Sequence, residues 1–135
     1  MNDAKCKEIK QWLVKSQHDL GAVSRLMEGD EPYLDMAVYH CQQAAEKAIK
    51  AYLVYQDIVF EKTHNLNALL GTCVSLDPRF KQLDELAEIL TPYATEFRYP
   101  GDDMEPEKDE AQEAFVSAKA FVDFFIQLLP DEVKP

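Results

Sequence analysis

Residues 33 to 57 read YLDMAVYHCQQAAEKAIKAYLVYQD, and this stretch decides the fold. Leu34, Val38, Cys41, Ala45, Ala48, Ile49, Tyr52 and Leu53 recur at helical steps, so they line one face of a helix. Ala37, Ala44 and Ala51 beside that stripe let a second helix approach closely. His40, Gln43, Lys47 and Lys50 fall on another line with the same steps and share a strip. An imidazole, an amide and an amine in register can hold a phosphate or a base. The competing reading is that His40 and Gln43 satisfy hydrogen bonds at a helix interface while Lys47 is solvated.

Working outward, residues 4 to 28 carry Ile9, Leu13, Leu20, Val23 and Leu26 or Met27 on one stripe, widened by Trp12 and Val14. Gly29 and Pro32 end this first helix. The short connection predicts that it lies antiparallel to the second. Beyond Asp57, Thr63 is the expected N-cap of a short third helix bearing Leu66, Leu69, Leu70 and Cys73. Asp77-Pro78 is the start signal of a fourth, carried by Phe80, Leu83, Leu86, Ala87 and Leu90 and weakened at its end by Pro92.

A last helix follows the acidic cluster Asp102, Asp103, Glu105, Glu107, Asp109 and Glu110, which suits the positive end of a helix dipole. Pro106 is expected in its first turn. Ala111, Phe115, Ala118, Phe121 or Val122, Phe125 and Leu128 or Leu129 form its stripe. Apolar residues on more than one face make this helix either the centre of the bundle or a dimer interface. Pro130 stops it, and DEVKP is expected to be a frayed tail. No segment alternates with period two. The fold expected is all-α, an up-and-down bundle of four main helices plus one short helix, with residues 1–135 forming a single domain.

Composition narrows the function. With 135 residues and 47% hydrophobic residues, the chain suits one domain with a real core. No apolar run spans a bilayer, so no membrane is expected, and MNDAKCKEIKQW has no apolar signal region. Cys6, Cys41 and Cys73 lack CxxC spacing and are read as reduced thiols, which points to the cytoplasm. Net charge is -11 and uneven. Residues 1–62 carry 8 Lys and Arg against 10 Asp and Glu, and residues 63–135 carry 6 against 15. Such a chain is a poor binder of a phosphate backbone except at a local cleft. The acidic half could equally face a basic partner, or simply keep the surface solvated.

Two further sets of residues can carry chemistry. Thr63-His64-Asn65 is either a capping sequence or a way to point His64 into the same cleft. Phe97-Arg98-Tyr99-Pro100 places an arginine between aromatics. It can stack on a base or pair with a phosphate, or it can bond helix C-terminal carbonyls while its neighbours pack. No metal is expected, because His18, His40 and His64 are scattered and no HxxxH or CxxC pair occurs. The acidic cluster lacks the spacing of a calcium loop. Glycine-rich phosphate loops are absent, and no cofactor is expected. Cys41 lies on the apolar stripe and is read as buried and inert.

Trp12, the HDL of residues 18–20, the AVYHCQQAAEKAIKAYL of 37–53, the THNLNALL of 63–70 and the FRYP of 97–100 together resemble the HEPN family of helical domains. The name stands for higher eukaryotes and prokaryotes nucleotide-binding. The resemblance runs over nearly the whole chain. It implies a bundle of four or five helices, often a homodimer, frequently associated with a small nucleotidyltransferase in modules resembling toxin and antitoxin. Many members are metal-independent ribonucleases using an Arg followed four to six residues later by a His. Here Arg25, Arg79 and Arg98 have no such His, so that catalytic pair is missing and no catalytic residue is assigned.

The subfamily signature that does match comprises His40, Gln43, Glu46 and Lys47, then His64, then Arg98 and Tyr99. Glu46 and Lys47 are open to a structural reading. The resulting expectation is a regulatory subunit that binds a nucleotide or RNA phosphate through His40, Gln43, Lys47, His64, Arg98 and Tyr99, together with a nucleotidyltransferase-family partner. Whether the chain is an enzyme stays open, with the missing pair weighing against it. The alternatives are a ribonuclease toxin using His40 or His64, and a purely structural interaction bundle.

Overall fold

The computed structural model describes residues 1–101 and 104–135. It is an all-α bundle with five α-helices and no strand among the described residues: α1 (Asp3–Leu26), α2 (Leu34–Tyr55), α3 (Leu66–Leu76), α4 (Asp84–Leu90) and α5 (Lys108–Leu128). Asp102 and Asp103 of the acidic cluster lie outside the described residues.

The sequence places α1 and α2 within two residues of their observed ends. Asn2 caps α1 by accepting from the Lys5 amide at 2.8 Å. Gly29, at φ +88°, turns the chain after α1, and the Tyr33 amide returns to the Leu26 carbonyl at 2.9 Å. The end of α2 uses a non-glycine residue in the left-handed region. Asp57 sits at φ +59°, its amide reaches Val54, and the Ile58 amide reaches Leu53. These two bonds form a Schellman closure. The Asp57 carboxylate also pairs with Lys5 at 3.0 Å. Contacts between α1 and α2 step backward along one helix as they step forward along the other: Lys5 to Asp57, Ser16 to Ala44, Asp19 to His40. The two helices are therefore antiparallel.

Beyond α2 the details depart from expectation. Asn65, not Thr63, caps α3, because its side chain accepts from the Ala68 amide. The Thr63 hydroxyl instead accepts from the Asn65 amide and shapes the turn leading into the helix. Asp77 does cap the next element, with Pro78 at its start, but that element is a 3-10 turn over 78–83. The α-helix proper begins at Asp84, and Thr91 with Pro92 turns it back into a 3-10 segment over 91–94. Proline lacks an amide hydrogen, and this suits the short pieces. The fourth helix, at 7 residues, is thus shorter than the 11-residue third. Pro106 precedes α5 rather than entering it, because Glu107 holds the N-cap position in extended backbone.

The tail is not frayed. Residues 131–133 form a 3-10 turn against α1, and Val133 is 0% exposed. Burying an apolar side chain of this size is worth about 1.5 kcal/mol or more, enough to hold a short turn in place.

Of α5 and α2, it is α2 that lies at the centre, with thirteen buried positions and packing against α1, α3, α4 and α5. The aromatic core joins α2, the 78–83 turn and α5. The Tyr52 ring lies 5.1 Å from Phe80 and 5.6 Å from Phe125, and Phe80 stacks on Phe125 at 5.4 Å. Such pairs add about 0.5–1.5 kcal/mol each beyond the area they bury.

Candidate functional site

Polar groups inside this frame gather around two buried carboxylates. The first is Asp19 of α1, 7% exposed, in register with the buried Ser16 and Val23 on the core side of the helix. Its Oδ1 accepts from His40 Nδ1 at 2.8 Å and its Oδ2 from Lys47 Nζ at 2.6 Å. A carboxylate oxygen only accepts, so the His40 proton sits on Nδ1 and Nε2 is the ring's acceptor when neutral. His40 and Lys47 are seven residues apart on α2, two turns along one strip, and the pair therefore spans the carboxylate.

The second is Glu46 of α2, 5% exposed. Lys50 Nζ reaches its Oε2 at 2.9 Å, while His64 Nδ1 and Gln42 Nε2 share Oε1 at 2.8 and 3.1 Å. Gln42 also donates to the His64 carbonyl at 2.8 Å, so His64 is tied by both ring and backbone. Gln43 donates to the Gln42 oxygen at 2.7 Å, joining this set rather than the Asp19 set. The Lys50 ammonium lies 5.8 Å from the Trp12 ring and 5.6 Å from Phe60, a low-dielectric slot that strengthens its pairing with Glu46. Burial pushes the Glu46 carboxyl up, but hydrogen bonds from Lys50, His64 and Gln42 outweigh it and hold the group below its ordinary value.

Arg98 forms a third set. It follows Phe97, which is held at φ +67°, a rare conformation for a bulky residue. Phe97 stacks on Tyr93 at 6.3 Å, fixing the turn. The Arg98 guanidinium then lies 3.9 Å from the Tyr39 ring centroid and donates Nη1 to the Ala94 carbonyl at 2.9 Å. The carbonyl reading of this arginine is thus observed, since it bonds a carbonyl at a helix end, and its guanidinium also lies on the Tyr39 ring. Tyr99 flanks it at 5.4 Å and is 58% exposed. Tyr39 meets the His40 ring edge-on at 5.3 Å, so Arg98 and Tyr99 connect to His40 and, through Asp19, to Lys47. His64 and Gln43 belong to the Glu46 set.

Three members of this arrangement were not among the sequence candidates. Tyr39 gives no signal along the chain, because its partner is 59 residues away. Gln42 resembles any helical glutamine. Asp19 did carry a signal: it stands in the buried register of α1, where an aspartate needs a cation. The thiol of Cys41 is buried and pushed up to about 12 by desolvation, as is that of Cys73, so neither is a nucleophile near neutral pH. Among the described residues, no group of three His, Cys, Asp or Glu is placed to hold a metal ion. No helix of the described residues is long and apolar enough to cross a membrane.

A model of the HEPN domain matches residues 9–129, from the first buried isoleucine of α1 to the residue after α5. The chain belongs to the HEPN domain family. No curated protein and no solved structure matches it. Within this HEPN domain the matched region takes in both carboxylate-centred sets and the Arg98 turn.

Proposed function

We propose that this HEPN domain is a binding subunit for a nucleotide or a nucleic-acid phosphate. The contact is made at Arg98, with Tyr39 and Tyr99 beside it and His40 at the edge. The observation that carries the reading is the Arg98 guanidinium 3.9 Å over Tyr39. Stacking fixes the plane of the fork, and a fixed fork is the best side-chain match to a phosphate. Tyr99, half exposed, offers a face for a base. Lys47 adds less than spacing suggests, because Asp19 offsets its charge. His64 and Gln43 act at the neighbouring Glu46 set, where His64 can reach a longer ligand.

In this reading the subunit is cytoplasmic, dimeric and works with a small nucleotidyltransferase in a toxin–antitoxin-like module. Family membership supports that context. The test is titration of a labelled nucleotide and of a short single-stranded RNA against wild type and Arg98→Ala. Binding that falls with Arg98→Ala at unchanged melting temperature supports the reading. Absence of binding by the wild type, alone and with a co-purified nucleotidyltransferase, overturns it.

One observation favours a second reading, a metal-independent ribonuclease. The His64 side chain is 67% exposed, with Nδ1 fixed on Glu46. A carboxylate-held imidazole with a free Nε2 is suited to proton transfer. RNA cleavage in the presence of a chelator, abolished by His64→Ala, would move the assignment there.

A further inference from the structure

The outer face of α1 is not covered by the bundle. Along the first half of the helix, Cys6, Lys7, Lys10, Val14 and Lys15 line a groove of about 590 Å³, whose opposite wall is the C-terminal turn at Glu132. Three features define what fits it. Lys7, Lys10 and Lys15 are exposed, and none of the three pairs with a carboxylate among the described residues. In a chain with 25 Asp and Glu against 14 Lys and Arg, a groove lined by three unpaired lysines against Asp3 and Glu132 is a small local excess of positive charge. Between them Val14 is 43% exposed, and with Cys6 and the lysine stems it gives the groove an apolar floor.

We propose that this groove docks an acidic amphipathic helix of another protein. Its apolar face would lie on Val14 and Cys6, and its carboxylates would meet Lys7, Lys10 and Lys15. From Asp3 to Lys15 the face is about 18 Å long, which suits a partner helix of roughly 12 residues. Nucleic acid fits less well: among the described residues no aromatic side chain lines the groove to stack a base. The chain as a whole carries a charge of -11, but for a short helix contacts inside a Debye length of about 8–10 Å outweigh that wider repulsion.

The probe is a labelled helical peptide of about 15 residues with leucines on one face and flanking glutamates, followed by fluorescence anisotropy on the whole chain. Controls are the same peptide with lysine for glutamate, and a single-stranded RNA. The expected result is binding of the acidic peptide alone. Combined Lys7→Glu, Lys10→Glu and Lys15→Glu should weaken it by about tenfold or more, as expected for three exposed ion pairs reversed together. The corresponding Lys→Gln set should give a smaller loss in the same direction, and added salt should weaken binding. All three lysines are exposed, so melting temperature serves as the folding control. The proposal is overturned if the acidic peptide fails to bind or is indifferent to charge reversal. It is equally overturned if the lysines prove necessary for RNA binding or for self-association instead.

Discussion

Asp19 and Lys47 stand 28 residues apart in the chain and meet at 2.6 Å, locking α1 to α2 beside the His40 imidazole. The buried carboxylate is the fixed member, and the Lys47 ammonium and the His40 ring N–H converge on it. Asp19→Asn keeps the size of the side chain but removes the charge that holds both partners. Lys47 and His40 keep some access to water, so the cost stays below that of a fully buried unpaired charge. About 1–3 kcal/mol is expected, measured by urea unfolding at neutral pH. Asp35→Asn, in the first turn of α2, should lose a few tenths of a kcal/mol at most. A cost equal to that at Asp19 would remove the anchoring role.

Glu46 imposes a pH dependence. Its folded-state pKa lies below the ordinary value of 4.5. The stabilisation it contributes is therefore present above the ordinary value and lost as the pH falls through the folded one. Wild type should exceed Glu46→Gln in stability near neutral pH, and the gap should close progressively below about pH 4.5. Unfolding curves of both proteins across that range test the point. A gap that is constant with pH would mean that Glu46 acts through shape alone.

Thiol chemistry separates the cysteines. With Cys41 and Cys73 buried and pushed up to about 12, both stay protonated and covered at pH 8 or so. Cys6 is partly exposed. An aromatic disulfide reagent should titrate one thiol rapidly in the native protein and three in denaturant. Rapid native labelling of Cys41 would place a breach between α1 and α2.

The C-terminal turn should behave as part of the core. Val133→Ala is expected to cost about 1–2 kcal/mol, whereas Val59→Ala, at a position 98% exposed, should be neutral. A thermal melt of the two variants gives the comparison. Equal melting temperatures would mean that the turn is docked without energetic consequence.

Arg98→Lys keeps the charge but loses the planar group that lies on Tyr39. Phosphate binding at this turn should fall nearly as far as with Arg98→Ala, by about tenfold, if geometry rather than charge governs it. Anisotropy with the labelled nucleotide reads the difference. Full retention by Arg98→Lys would assign the contact to simple charge.

The helices were legible because burial repeats: Val38, Cys41, Ala45, Ala48, Ile49 and Tyr52 are all buried in α2, as their spacing requires. Stops written in glycine and proline were legible for the same local reason. Features resting on a single distant contact were not. Thr63 and Asn65 are both good caps, and only the direction of the chain entering α3 chooses between them. Val133 has no periodic neighbours, so nothing in the tail announces that it is buried. The strip His40, Gln43, Lys47 was visible, but its division was not. Asp19 draws off His40 and Lys47, whereas the Gln42 oxygen draws Gln43 toward Glu46. Long-range hydrogen bonds leave no period in a sequence.

The slot around Lys50 has an optical consequence. Trp12 is the sole tryptophan of the chain, and its ring lies edge-on to Phe60 at 6.3 Å and close to the Lys50 ammonium. Phe60 belongs to the segment that runs on to His64, so lifting that segment strips one aromatic wall from the indole and exposes it to water. The emission of a single native fluorophore thus reports whether the α2–α3 connection is seated. Opening of the Glu46 set can be followed in real time on the unlabelled protein.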